Sequence, residues 1–163
     1  MTIETEINIL LEKVAQLVNE TIPVEWKEFY FQSEVKEGDG GVFFFFNQRS
    51  SDEFEYCYYI PDRYNVDRKV YIEYEDKLFD CIIDLQELFI KNHQEPWFSV
   101  TIIVNEQRKL NVQFDYINWS ESTFGPSARL NYFQYKYLNK EARDEKEKEM
   151  FLEIEEFEQK HKR

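Results

Sequence analysis

Histidine is nearly missing from this sequence, with two residues, His93 and His161, in a chain of 163. One usable imidazole leaves little material for an acid–base pair or a histidine-based metal site. No glycine pattern of the phosphate-loop or dinucleotide type is present. Cysteine is as scarce, and Cys57 and Cys81 have neither metal nor redox spacing, so they read as two buried free thiols. Four Gly and four Pro are too few for a loop-dominated or disordered chain. No apolar run approaches the roughly 18 residues of a spanning helix. The first residues carry Glu4, Glu6 and Glu12 where an export leader needs positive charge followed by an apolar stretch. The expected location is therefore the cytoplasm. Cations also fall short: 20 Lys and Arg face 33 Asp and Glu, for a net charge of −13 and a pI near 4.7. Proteins gain affinity for nucleic acid by neutralising phosphates, so direct nucleic-acid binding is disfavoured, as is an anionic membrane surface. A basic protein partner fits this charge.

Aromatic residues, by contrast, are abundant: 15 Phe, 11 Tyr and 3 Trp. They bring large buried areas and suit pleated strands. A chain of this length suits one domain that buries roughly 70% of its extended surface. Ile3, Ile7, Leu10, Val14 and Leu17 recur in steps of four and three, which predicts an amphipathic helix from about Thr2 to Asn19, ended by Ile22-Pro23. Lys27 to Lys36 alternates, with Phe29, Phe31 and Val35 on one side. Gly38 to Gly41 is expected to be the tight turn. Val42 to Phe46 is apolar on both faces and reads as a central strand. A third strand is expected from Phe54 to Ile60, ended by Pro61. Asn65 or Asp67 should cap a helix reaching Asn92. Two alternating strands, Phe98 to Val104 and Leu110 to Tyr116, precede a helix from Pro126 to Leu138. The expected fold is α+β, an antiparallel five-stranded sheet with helices packed on it, in the order α-β-β-β-α-β-β-α-α. Residues 1–139 are expected to form the domain and residues 140–163 a charged helical C-terminal extension.

The charge is unevenly spread. Residues 1–60 hold 12 acids against 4 bases, and residues 61–100 hold 9 against 5; residues 101–139 are net +1. The excess thus belongs to the folded body rather than to an acidic tail. In the second helix, Tyr71, Tyr74, Leu78, Ile82, Leu85 and Phe89 form a core ladder. Glu73, Asp76, Asp80, Asp84 and Glu87 repeat at the same steps about 180° away. A solvated face is the ordinary explanation, with Lys77 pairing to Glu73 at i,i+4. Against it, Asp is a poor helix former, and solubility alone would more cheaply use Glu. These five carboxylates are the binding candidates, with Glu37 and Asp39 as outlying members. Trp97 and Trp119, each beside turn residues, are aromatic anchor candidates if exposed, though a buried ring pinning a turn is the stronger expectation. No catalytic residue, metal ligand or cofactor site is expected.

The residues between these features carry a resemblance. Ile22-Pro23-Val24-Glu25-Trp26, Glu34-Val35 with the glycine turn and Val42 to Phe46, Ser51-Asp52-Glu53-Phe54, and Ile60-Pro61-Asp62-Arg63-Tyr64-Asn65-Val66 resemble the YezG family. So do Gln94-Glu95-Pro96-Trp97, Phe114-Asp115-Tyr116, Ser122-Thr123-Phe124-Gly125-Pro126 and Tyr135-Lys136-Tyr137-Leu138. The likeness runs in order from about residue 5 to residue 138, and the tail beyond Lys140 is longer and more charged than the family's pattern. The resemblance implies an immunity protein, or antitoxin, for a secreted polymorphic toxin of a Gram-positive bacterium, often one with an LXG-type export domain and a nuclease at its C-terminus. It supplies no catalytic motif. Two other expectations stand beside it. One is a non-enzymatic, self-associating scaffold that uses the stripe Met150, Ile154 and Phe157. The other is a carboxylate-based hydrolase, which needs acids gathered in a deep cleft.

Overall fold

The computed structural model describes residues 1–162, and these form five α-helices and one five-stranded antiparallel sheet, an α+β fold. In chain order they are α1 (Ile3–Thr21), β1 (Trp26–Lys36), β2 (Asp39–Gln48), β3 (Phe54–Tyr56), α2 (Ile60–Tyr64) and α3 (Arg68–Lys91). Then follow β4 (Ser99–Val104), β5 (Leu110–Asp115), α4 (Pro126–Leu138) and α5 (Glu145–His161). The strands lie in the order β3-β2-β1-β4-β5. The element order is the expected one, with α2 added. Contacts divide the chain into two compact units, Met1–Phe114 and Asp115–Arg163, so the break expected after residue 139 lies inside the second.

In the first unit β1 is the middle strand, paired with β2 on one edge and β4 on the other, and β2 is interior as expected, lying between β1 and β3. Register places Phe29 between Phe46 and Val104, and Phe31 between Phe44 and Ile102. All six are buried, since alternate residues of a strand share a face. Ser33 falls on the same face and donates its hydroxyl to the Gly41 carbonyl at 2.7 Å, so its burial leaves nothing unpaired. Helix α3 packs on β1 and β2 and against α1. Helix α1 is capped by Thr2, whose hydroxyl accepts the Thr5 N–H at 3.2 Å, and it stops at Ile22 ahead of Pro23 as expected.

Two local expectations need correcting. The β1–β2 turn is centred on Glu37 (φ 53°) and Gly38 (φ 80°), two residues earlier than the centre of the Gly38 to Gly41 run. Two positive φ values are what a two-residue hairpin turn requires, and Glu37 accepts one of them. The third strand also ends early. After Tyr56 the chain makes a single 3-10 turn, Cys57–Tyr59, and enters α2 with Pro61 in its first turn. Proline pre-sets a helical φ there, so Pro61 opens a helix rather than closing a strand. Asn65, at φ 53°, ends α2, and Asp67 caps α3 by accepting the Lys69 N–H at 2.8 Å.

Helix α3 ends in a paired closure. The Gln94 N–H reaches the Phe89 carbonyl at 2.8 Å and the His93 N–H reaches that of Ile90 at 3.1 Å, with His93 at φ 59°. Glycine takes that position without steric cost. His93→Gly is therefore expected to raise the unfolding free energy by about 0.5–1 kcal/mol, read from urea denaturation. A loss of stability would show that the imidazole contributes more than the backbone strain removes.

The second unit is built on α4 and α5. Asp144 caps α5 by accepting the Glu147 N–H at 2.8 Å, while the buried Glu147 carboxylate takes the Arg143 N–H at 3.0 Å and its guanidinium at 2.7 Å. Phe151 stacks on Tyr135 at 4.7 Å, and Glu158 meets the Lys136 ammonium at 2.9 Å. Two residues of the stripe expected to serve self-association are engaged within the chain. Ile154 is buried, and Phe157 lies against Trp119 at 5.1 Å and Phe124 at 5.7 Å. Phe151, Ile154 and Phe157 of the tail thus pack internally, whereas Leu152 is exposed.

Candidate functional site

Helix α3 runs for 24 residues and divides its circumference as the two ladders predict. Tyr71, Leu78, Ile82, Leu85 and Phe89 are buried, with Tyr74 half-buried at the margin. Glu73, Asp76, Asp80, Asp84 and Glu87 are all exposed. From Glu73 to Glu87 they span about 20 Å at 1.5 Å per residue. Lys77 does not neutralise the row in the expected way: its ammonium lies 5.6 Å from the centre of the Tyr74 ring, and among the described residues no ion pair joins it to Glu73. The Lys13 charge of α1 acts on Cys81, as do those of Asp80 and Asp84.

A sixth acid, Glu75, turns away from the row toward Tyr71 and Cys57. Burial, and then the neighbouring Asp76 charge, push its carboxyl above the ordinary range. Glu37 and Asp39 are exposed on the β1–β2 turn, where the Asp39 carboxylate accepts the Gly40 N–H at 3.0 Å. Gln86 fastens α3 to that end of the sheet by donating to the Trp97 carbonyl at 2.6 Å and the Val35 carbonyl at 3.3 Å.

Neither tryptophan candidate is a surface anchor. Trp97 is 1% exposed, with Phe89 at 6.2 Å and Phe114 at 5.5 Å from its ring, and Trp119 is buried with its indole N–H on the Asp115 carboxylate at 2.7 Å. Both rings hold the ends of turns in place, which is why the proline-flanked segments need them. Among the described residues the exposed aromatic side chains are Tyr135 on α4 and, more fully open, the adjacent pair Tyr58 and Tyr59 on the 3-10 turn before α2. Sequence periodicity missed that pair because the run was taken as a strand, where adjacent rings point to opposite faces.

The groups that could do chemistry are placed poorly for it. Cys57 and Cys81 are buried and free, and desolvation pushes the Cys57 thiol up to about 11, so it stays protonated and weakly nucleophilic. Its sulfur accepts the Phe44 N–H at 3.4 Å, a structural task. The cleft lined by Val42, Phe44, Cys57, Tyr71, Glu75 and Leu78 has no room for a water molecule. Among the described residues no group of three or more His, Cys, Asp or Glu is placed to hold a metal ion. Nor is any described helix long and apolar enough to cross a membrane.

Comparison with known proteins gives a consistent result. The family described as "Immunity protein YezG-like" matches residues 7–152, and so reaches into α5 rather than stopping near residue 138. The chain is similar to the type VII secretion system protein EsaG of Staphylococcus aureus (strain NCTC 8325 / PS 47), with 34% identity over 136 residues, 83% of each chain. It is also similar to the immunity protein YezG of Bacillus spizizenii (29% over 129 residues, 79% of this chain and 80% of that one). The YezG of Bacillus subtilis (strain 168) shares 23% over 143 residues, 88% and 95% of the two chains.

Proposed function

The chain belongs to the YezG-like immunity protein family, and on that premise we propose that it binds the basic, nuclease-type C-terminal domain of a cognate polymorphic toxin. In this reading it keeps that domain inactive in the cytoplasm of the cell that makes both. The observation that carries the proposal is the exposed row Glu73, Asp76, Asp80, Asp84 and Glu87, set opposite the buried ladder of the same helix. Nuclease domains gather cations to hold phosphates, and a rigid row of carboxylates offers those cations a substitute. Such complementarity raises the rate of encounter and sets partner choice more than it adds raw affinity. The chain contributes binding and no bond-making step. The name of the Staphylococcus relative ties that protein to type VII secretion, so the partner is sought among exported toxins encoded beside this chain.

The test is coexpression in a sensitive host with the C-terminal domain of the neighbouring toxin. Growth should be restored, and the two proteins should copurify. A host that dies at the same rate with and without the chain, together with no complex between the purified proteins, rules the reading out.

A further inference from the structure

The binding role just proposed leaves open where the partner's grip comes from, and the following inference rests on that role. Carboxylates on an open helix face steer well but hold weakly, because each remains solvated. Tyr58 and Tyr59 are of another kind. They are adjacent, 56% and 57% exposed, and supported from below. The ring of Tyr56 stacks on the buried Phe45 at 4.9 Å, and Tyr58 continues the stack at 6.2 Å. Tyr59 meets Tyr56 and Tyr58 edge-on at 6.0 and 5.5 Å. The Arg68 guanidinium lies 5.9 Å from the Tyr58 ring centre and is itself bonded to Asp62 at 3.2 Å. The exposed rings are therefore held before any partner arrives, which lowers the ordering cost of burying them.

Through Arg68 they border the start of α3, the helix that carries the acidic row. Ile72, one turn beyond Arg68 and 45% exposed, projects about 80° from the middle of the row, and Ile90, 52% exposed, shares its direction. From Arg68 to Asp76 is about 12 Å of helix, so rings, apolar flank and first carboxylates fit within one ordinary interface. We propose that Tyr58 and Tyr59, with Ile72 beside them, anchor the cationic toxin domain, which seats the two rings in an apolar recess bordered by its basic groups. A second copy of this chain is the poorer occupant, since it brings a net charge of −13 and an identical acidic row to the same place.

The experiment is a kinetic binding measurement with the purified C-terminal domain of the toxin encoded beside this chain. Three proteins are compared: wild type, Tyr58→Ala/Tyr59→Ala, and Tyr58→Phe/Tyr59→Phe. The alanine pair should raise the dissociation rate at least about 30-fold, with the association rate and its salt dependence little changed. The phenylalanine pair should stay within a few-fold of wild type and melt with it, and the alanine pair should remain folded, melting only slightly earlier for the ring contacts it loses. If wild type binds and the alanine pair dissociates at the wild-type rate, the anchor is refuted while the immunity role stands. If wild type does not bind at all, the role fails and the anchor with it. A wild-type dimer that the alanine pair dissolves, with toxin binding unaltered, assigns the rings to self-association and also overturns the proposal.

Discussion

Gly40→Ala should lower stability by about 3 kcal/mol or more, the largest effect expected from so small a change in this chain. Gly40 has φ 153°, and a Cβ there would sit 1.9 Å from the Glu34 carbonyl oxygen and 2.9 Å from its carbon. Those are backbone atoms of the central strand, so no side chain can swing aside to make room. The neighbouring glycines supply the scale. Gly38 has open space but φ 80°, and its alanine variant should cost about 1 kcal/mol. Gly41 has open space and no positive φ, so Gly41→Ala should be close to neutral. Urea midpoints at constant slope would rank the three. If Gly40→Ala unfolded no earlier than Gly41→Ala, the registered pairing of Val35 with Gly40 would be wrong. That pairing sets the positions of Phe44 and Phe46, because a slip of one residue turns a whole strand inside out.

Reversing the acidic row has its largest effect on binding. Changing Glu73, Asp76, Asp80, Asp84 and Glu87 to Lys adds two charges at each site and moves the net charge from −13 to −3. The fold should tolerate it, since the five side chains are exposed and Lys is a better helix former than Asp. Association with the toxin domain should slow at least about tenfold near physiological salt, with the gap widening at low ionic strength. Stopped-flow mixing at several salt concentrations reads this directly. Equal association rates with parallel salt slopes would remove the row from the binding mechanism.

How much of this was legible beforehand depended on periodicity. Helices α1 and α3 declared themselves because their apolar steps repeat for four or more turns, and the orientation of the acidic row followed from the same arithmetic. The stretch after Phe54 did not. Its run of Glu55, Tyr56, Cys57, Tyr58 and Tyr59 is too short to separate an aromatic strand from an aromatic turn, and Pro61 serves either the end of one or the start of the other. The glycine turn was misplaced by two residues because Glu37 accepts a left-handed φ that its side chain does not advertise. Lys77 sits at the spacing that favours Glu73, yet the Tyr74 ring competes for it, and sequence spacing carries no weight for such a choice. The tail looked solvated because Glu and Lys dominate it. Four apolar residues on one side were enough to bury Phe151 and Ile154.

Trp26, Trp97 and Trp119 are all buried, and the Trp97 indole N–H is, among the described residues, the buried side-chain donor without a partner. An indole in so dry a setting emits toward the blue, and the three together make this chain's tryptophan emission a gauge of its interior. A partner docking on outward carboxylates and tyrosines touches none of these fluorophores. With a partner whose own tryptophans have been replaced, a spectral displacement on complex formation would therefore signal that the core itself has rearranged.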